Sequence, residues 1–282
     1  MLMRDTFAGA AIATALLCTG AAEASLIDLG GYTGPLQFKF QNYESFSSTT
    51  IAPGVQNFGV VEVTSIQNPT TGGNVWVQGQ GGQFLAAVFN GITVSSVTPI
   101  TGGFTTTNTG GTFQLWLDSA NFTPGQGTAG YGAGGCAVGG LCYHGITDTG
   151  GIDLLNFNLV PGTTSDPTNT LNATVSSTTL PISGHAEGFA DITGGADASE
   201  FGKGGFPTLF GAADMHFIDD FCANGQSGCA GPTSSNWENF SHDPVDAVAV
   251  VPTIPEPASL ALLGTALLGF ATVARRRNRN RE

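Results

Sequence analysis

Leu36-Gln37-Phe38-Lys39-Phe40-Gln41 alternates apolar and polar residues without a break. A strand with one buried and one wet face has this period of two. Thr112-Phe113-Gln114-Leu115-Trp116-Leu117 alternates in the same way, with Trp116 on the face opposite Phe113, Leu115 and Leu117. Further β-forming runs lie at 58–66, 75–78, 84–89, 92–98, 152–159, 171–178, 185–192 and 209–218. Turn formers separate them: Asn68-Pro69-Thr70, Thr71-Gly72-Gly73, Thr101-Gly102-Gly103, Thr109-Gly110-Gly111 and Ser165-Asp166-Pro167. Away from the two ends there is no amphipathic helical period. The pattern predicts an all-β chain, an antiparallel β-sandwich or jelly-roll-like body. The Gly-rich stretch 123–140 reads as a surface loop within one domain rather than a boundary.

Composition sharpens this picture. Of 282 residues, 42 are Gly and 14 are Pro, and only 10% are charged. A helical bundle or coiled coil needs more charge and less Gly. The 19 Phe, with 4 Tyr and 3 Trp, are too many for a disordered chain. The formal net charge is −13. Between Asp28 and Asp246 the only basic side chains besides His are Lys39 and Lys203, against 17 acidic ones. Such a surface repels a phosphate backbone, so nucleic acid is excluded as a partner.

The two ends differ from the body. Arg4 is followed by a small and apolar run from Phe7 to Ala22. Ala22-Glu23-Ala24 then fits the small-x-small rule of signal peptidase, with Ser25 the first mature residue. The reading is a signal peptide over 1–24, a body over 25–232, a linker over 233–254 and a terminal signal over 255–282. In that last segment Pro255-Glu256-Pro257 precedes an apolar run, 258–274, and the basic residues Arg275, Arg276 and Arg277. As a helix that run spans roughly 26 Å, enough for a transmembrane helix with snorkelling Arg at one end. The Arg cluster stays on the cytoplasmic side, which places the body outside.

Pro255-Glu256-Pro257-Ala258-Ser259-Leu260, the apolar run with Leu263-Gly264, and Arg275-Arg276-Arg277 together resemble the PEP-CTERM sorting signal of Gram-negative bacteria. The resemblance is confined to the tail. It implies recognition by an exosortase, a membrane transpeptidase-like enzyme, and removal of the tail near the tripeptide. It also implies export through the inner membrane to the cell envelope, outer surface or extracellular matrix. Proteins with such tails often accompany exopolysaccharide and biofilm, so exopolysaccharide is an expected partner beside exosortase, signal peptidase and the membrane.

Four cysteines remain outside the signal: Cys136, Cys142, Cys222 and Cys229. An even number in an exported chain predicts two disulfides. Three pairings exist, and the short Gly-containing spacers favour Cys136–Cys142 and Cys222–Cys229. A four-cysteine metal site is the rival, with spacings longer than zinc sites usually show.

Chemistry is sparse in the body. There is no Gly-x-Ser-x-Gly, no Ser-x-x-Lys, no His-Glu-x-x-His and no Gly-Lys-Ser/Thr phosphate loop. The reading is a structural, non-enzymatic protein without a cofactor. Its alternative is a carbohydrate- or calcium-binding surface module, and a secreted hydrolase ranks below that. Trp76, Trp116, Trp237 and Tyr131 are the candidate sugar-stacking rings. Asp214, Asp219 and Asp220 are the candidate calcium ligands, with Asp191, Asp197 and Glu200 nearby in sequence. On a strand, Asp214 and His216 share one face while Met215, Phe217 and Asp219 share the other, with Asp219 and Asp220 expected at its end.

Overall fold

A computed structural model describes residues 26–29, 32, 34–122, 146, 150–201, 204–223, 237, 239–240 and 245–250. Ser25–Thr253 form one compact unit. The signal peptide with Ala22, Ala24 and Ser25, the sorting tripeptide, the run 258–274, Arg275, Arg276 and Arg277 all lie outside the described residues. So do the loop 123–140, Tyr131, Cys136, Cys142 and Cys229. Among the described residues no helix is long and apolar enough to cross a membrane.

The described residues form an all-β body in which every pairing between strands is antiparallel. In order these are β1 (Pro35–Phe46), β2 (Gln56–Gln67), β3 (Asn74–Val77), β4 (Phe84–Ile100), β5 (Gly103–Thr109), β6 (Thr112–Asp118) and β7 (Ile152–Val160). There follow β8 (Leu171–Val175), β9 (Gly184–Gly194), β10 (Phe206–Thr208), β11 (Gly211–Ala213), β12 (Met215–Ala223), β13 (Asn239–Phe240) and β14 (Val245–Val250). The ladder runs β1–β2–β4–β6–β7–β9–β12–β14 and returns to β1, so the sheet closes on itself. The layers expected of a sandwich are therefore joined at both edges by hydrogen bonds.

Three rungs of this ring are broken strands. β5 and β6 run in line along β4, covering Thr93–Ile100 and Phe84–Asn90 respectively. The break is Gly110-Gly111, whose φ values of 72° and 107° bar other residues. β7 and β8 run in line along β9. β13 and β14 both lie between β1 and β12. Neighbours around the ring are thus successive along the chain, an up-and-down order without the crossing connections of a jelly roll.

Sequence and structure part in three places. Residues 233–254 do not form a linker throughout, because β14 pairs Val250 with Pro35 and Val245 with Phe40 and seals the ring. The expected strand 209–218 is split: Leu209-Phe210 turn a β10–β11 hairpin, and β12 begins at Met215. β5, with its Thr-Thr-Thr-Asn core, has too few apolar positions to be read as a strand.

A ring of roughly eight strands has an interior that side chains fill. Its middle is a layer of phenylalanines. Phe89 stacks on Phe113 at 5.2 Å, and Phe113 on Phe157 at 4.9 Å. Phe217 meets Phe113 at 5.5 Å and Phe40 at 5.4 Å. Phe89↔Phe113 and Phe113↔Phe157 are register partners on adjacent strands, so the sheet itself sets their stacking. Below this layer, towards Pro35, lie Leu36, Phe38, Leu85, Leu154, Leu155 and Met215. A second, outer core packs Tyr43, Val60 and Val88 under Phe122, Ile146 and Trp237.

Gly59 sits where the inner side of the wall leaves no space. A Cβ there would collide with the Tyr43 carbonyl oxygen and the Phe89 ring. Gly59→Ala should therefore destabilise the body by about 1–3 kcal/mol. Gly73→Ala, whose nearest neighbour is the Thr71 hydroxyl at 3.4 Å, should stay within about 0.5 kcal/mol of the parent. Urea unfolding of both variants checks this, and equal losses would refute the close-approach argument.

Candidate functional site

β1 carries Leu36, Phe38, Phe40, Asn42, Glu44 and Phe46 on its inward face. Above the phenylalanine layer, that face changes from apolar to polar. Asn42 and Glu44 are only 2% and 5% exposed. β12 does the same from across the seam: Phe217, Asp219 and Phe221 point inward, and Asp219 is 5% exposed. These residues line a chamber of about 50 Å³ together with Asn57, Thr106 and Asn108. Phe89, Phe113 and Phe217 also line it from the phenylalanine layer. Phe46, Ile51, Val94, Val175 and Phe221 line its other end. The loops beyond are held together there by the Thr50↔Thr179 bridge and by Ile51 N–H donating to Thr178 O at 2.7 Å.

The chamber has a defined hydrogen-bond pattern. Asn42 Nδ2 donates to Asp219 Oδ2 at 2.7 Å, and Asn57 Nδ2 donates to Glu44 Oε2 at 3.0 Å. Asn108 is satisfied, its Nδ2 donating to Leu171 O at 2.9 Å. By contrast Asn42 Oδ1, Asn57 Oδ1 and Asp219 Oδ1 are buried and have no partner among the described residues. All three are acceptors. Burial pushes the Asp219 carboxyl well above the usual carboxylate range. The Glu44 charge pushes the same way, the hydrogen bond from Asn42 opposes it, and the Asp220 charge adds to it.

The expected calcium ligands do not come together. Asp219 faces inward in the middle of β12, not at its end. Asp220 faces outward, its Oδ1 lying 2.7 Å from His185 Nδ1. Asp214 precedes β12 and is occupied by backbone: Ile192 N–H and Gly204 N–H donate to it at 2.9 and 2.8 Å. Asp197 accepts from Leu26 N–H and pins the first described segment. Among the described residues no group of three or more His, Cys, Asp or Glu side chains is placed to hold a metal. His216 does not pair with Asp214. Its Nε2 lies 2.8 Å from Glu187 Oε1, and its ring stacks on Phe189.

The stacking rings are also placed inside. Trp76 is 0% exposed and Trp237 3%, and Trp116 packs against the outer core. None of the three offers an open platform for a sugar ring. Beside the outer core, burial raises the Glu62 carboxyl despite hydrogen bonds from Asn121, Gln78 and Tyr43. Cys222 is disulfide-bonded and packs against that core.

Sequence reasoning missed Asn42, Glu44 and Asn57. The signal for the first two was present in the alternation of β1. Both stand on the parity of Phe40 and Phe46, where a half-buried strand puts its apolar residues.

At the other end of the chain, residues 253–277 match the PEP-CTERM protein-sorting motif. The motif marks an exported protein sorted by an exosortase to the cell surface. It begins three residues after Val250, the end of β14. No curated protein and no solved structure matches the chain.

The raised Asp219 pKa fixes the sign of a pH effect. Between the ordinary carboxylate range and the raised value, the folded chain holds a proton that the unfolded chain has lost. Stability is then full below that window and falls as pH rises through it. In chelator, Asp219→Asn should flatten this decline and gain on the order of 1–3 kcal/mol at pH 8. Burial also raises Glu62 and Asp191, and both persist in the variant, so the difference between the two profiles isolates Asp219. Superimposable profiles from urea melts at pH 4–8 would contradict the assignment.

Proposed function

We propose that this chain is a structural, non-catalytic component of the cell envelope or extracellular matrix, associated with exopolysaccharide. The observation that carries the reading is the position of the sorting motif directly after the strand that seals the ring. Removal of everything beyond Thr253 takes no rung from the ladder. The released product is a closed body held by its own hydrogen bonds, suited to persist outside the cell. Its acidic exterior, with few Lys and Arg between the two ends, favours solubility and the attraction of cations.

The disulfides Cys222–Cys229 and Cys136–Cys142 belong to the same reading, since an oxidising compartment permits them. Signal peptidase acts at Ala24–Ser25 and exosortase near Pro255-Glu256-Pro257. The segment 258–274 spans the inner membrane until then. With Trp76 and Trp237 inside the body, contact with polysaccharide falls to polar and cation-bridged surfaces rather than to these rings.

Intact mass of the protein recovered from envelope, matrix and medium of its native host tests the proposal. The expected mass begins at Ser25 and ends near Pro255-Glu256-Pro257, and the mature species is enriched in the polysaccharide fraction. Glu256→Ala should retain the tail while leaving the melting temperature of the body unchanged. Normal processing in that variant, or a wild-type protein that keeps Arg275–Arg277 in the inner membrane, would overturn it.

A further inference from the structure

Two carboxylates, Glu44 and Asp219, share a chamber inside a barrel. The described lining contains no Lys, Arg or His. An ionised carboxylate in such a place is strongly disfavoured unless a cation or a proton offsets it. The body has only Lys39 and Lys203 to offer besides His, and Lys39 does not line the chamber. Hydrogen bonds from Asn42 and Asn57 each reach one carboxylate oxygen.

The orientation of those two amides is informative. Each turns its NH₂ to a carboxylate and leaves its carbonyl oxygen buried without a partner among the described residues. Asp219 Oδ1 is buried in the same condition. The unmet demand is for something positive or hydrogen-donating that several oxygens can share. Asn42 and Asp219, each more than nine-tenths buried, both line the space in question.

We propose that this chamber is a calcium site, with oxygen ligands from Asn42, Glu44, Asn57 and Asp219. An all-oxygen set selects a hard cation over a thiophilic one. Two carboxylates match the charge of one divalent ion, where a monovalent ion would leave a net negative charge in the interior. Calcium tolerates an irregular set of carboxylate, amide and water oxygens, whereas magnesium demands a near-ideal octahedron. A chamber of about 50 Å³ leaves room for the ion and the waters that complete its shell. It excludes a sugar ring, so the ligand is the ion itself.

The site differs from the one that sequence spacing indicated. It takes Asp219 from that set, leaves Asp214 and Asp220 outside, and draws its other ligands from β1 and β2. It rests on the export reading in one respect: outside the cell, a site of roughly 10⁻⁴–10⁻³ M affinity is adequate.

Calcium titration of the purified full chain in detergent, after EDTA treatment, tests the proposal independently of processing in the host. Calorimetry should give one site. The melting temperature should rise by roughly 3–10 °C in 10 mM CaCl₂, and both effects should vanish in the isosteric Glu44→Gln/Asp219→Asn variant. Absence of binding and of a thermal shift in the wild type would overturn the site. So would binding that persists in the double variant, which would assign the ion to surface carboxylates. Should the double variant not fold, the single Asp219→Asn variant carries the comparison, and unchanged calcium affinity there overturns the site.

Discussion

A sheet that closes on itself gives its inward side chains no route to water. Every residue on the inner parity of β1, β2, β4, β6, β7, β9 and β12 is committed to the interior, whatever its chemistry. For Leu36, Phe38, Leu85 and Leu155 this is the favourable burial that drives folding, about 1.5–3 kcal/mol for each large side chain. For Asn42, Glu44 and Asp219 it removes the solvent that polar groups require. The phenylalanine layer separates the two regimes. Phe113 and Phe217 line both the polar chamber and a smaller apolar cavity of about 30 Å³ on its other side. One constraint, closure, accounts for the apolar half, the strained titration of Asp219 and the confinement of both to a single interior.

Scarcity of basic side chains decides how the chain handles its acids. Outside the ring, carboxylates are matched by His across neighbouring strands, His185 with Asp220 and His216 with Glu187. These pairs are partly exposed, so water shares the task and each contributes little to stability. Elsewhere backbone N–H groups serve: Asp214 and Asp197 hold segments together by accepting from Ile192, Gly204 and Leu26. Inside the ring neither solution applies to Asp219, whose only donor among the described residues is the Asn42 amide. The same acid-rich composition therefore leaves Asp219 without a basic partner among the described residues.

The legible parts of the sequence were those where one physical signal dominates. The alternation of β1 and β6 comes from half-burial, and it was read correctly because Leu, Phe and Gln separate cleanly by parity. The tail was legible because tripeptide, apolar run and Arg cluster stand in order. β5 was hidden because Thr favours strands without marking an inner face. β14, Val-Asp-Ala-Val-Ala-Val, was hidden by its neighbourhood, since short apolar residues beside Pro244 and Pro252 read as a linker. The polar chamber was hidden for a different reason. A carboxylate in an acidic chain reads as surface, and only parity with Phe217 and Phe221 reveals that Asp219 faces inward. Asn42 and Glu44 repeat this case on β1, between Phe40 and Phe46.

The address and the body also meet in the order of the chain. The ring is sealed by pairing the first strand with the last, the contact with the largest loop to close. All other rungs join neighbours in sequence, so they close smaller loops than this one and favour more rapid assembly. Closure must then wait for β13 and β14, which are the final segments before the sorting motif. A cut beyond Val250 leaves that seal in place. A cut before Asn239 would remove the strands that join β1 to β12 and open the interior beside Asn42 and Asp219. The short spacing between the last strand and the motif thus confines processing to the one region of the C-terminal segment where cleavage leaves the chamber closed.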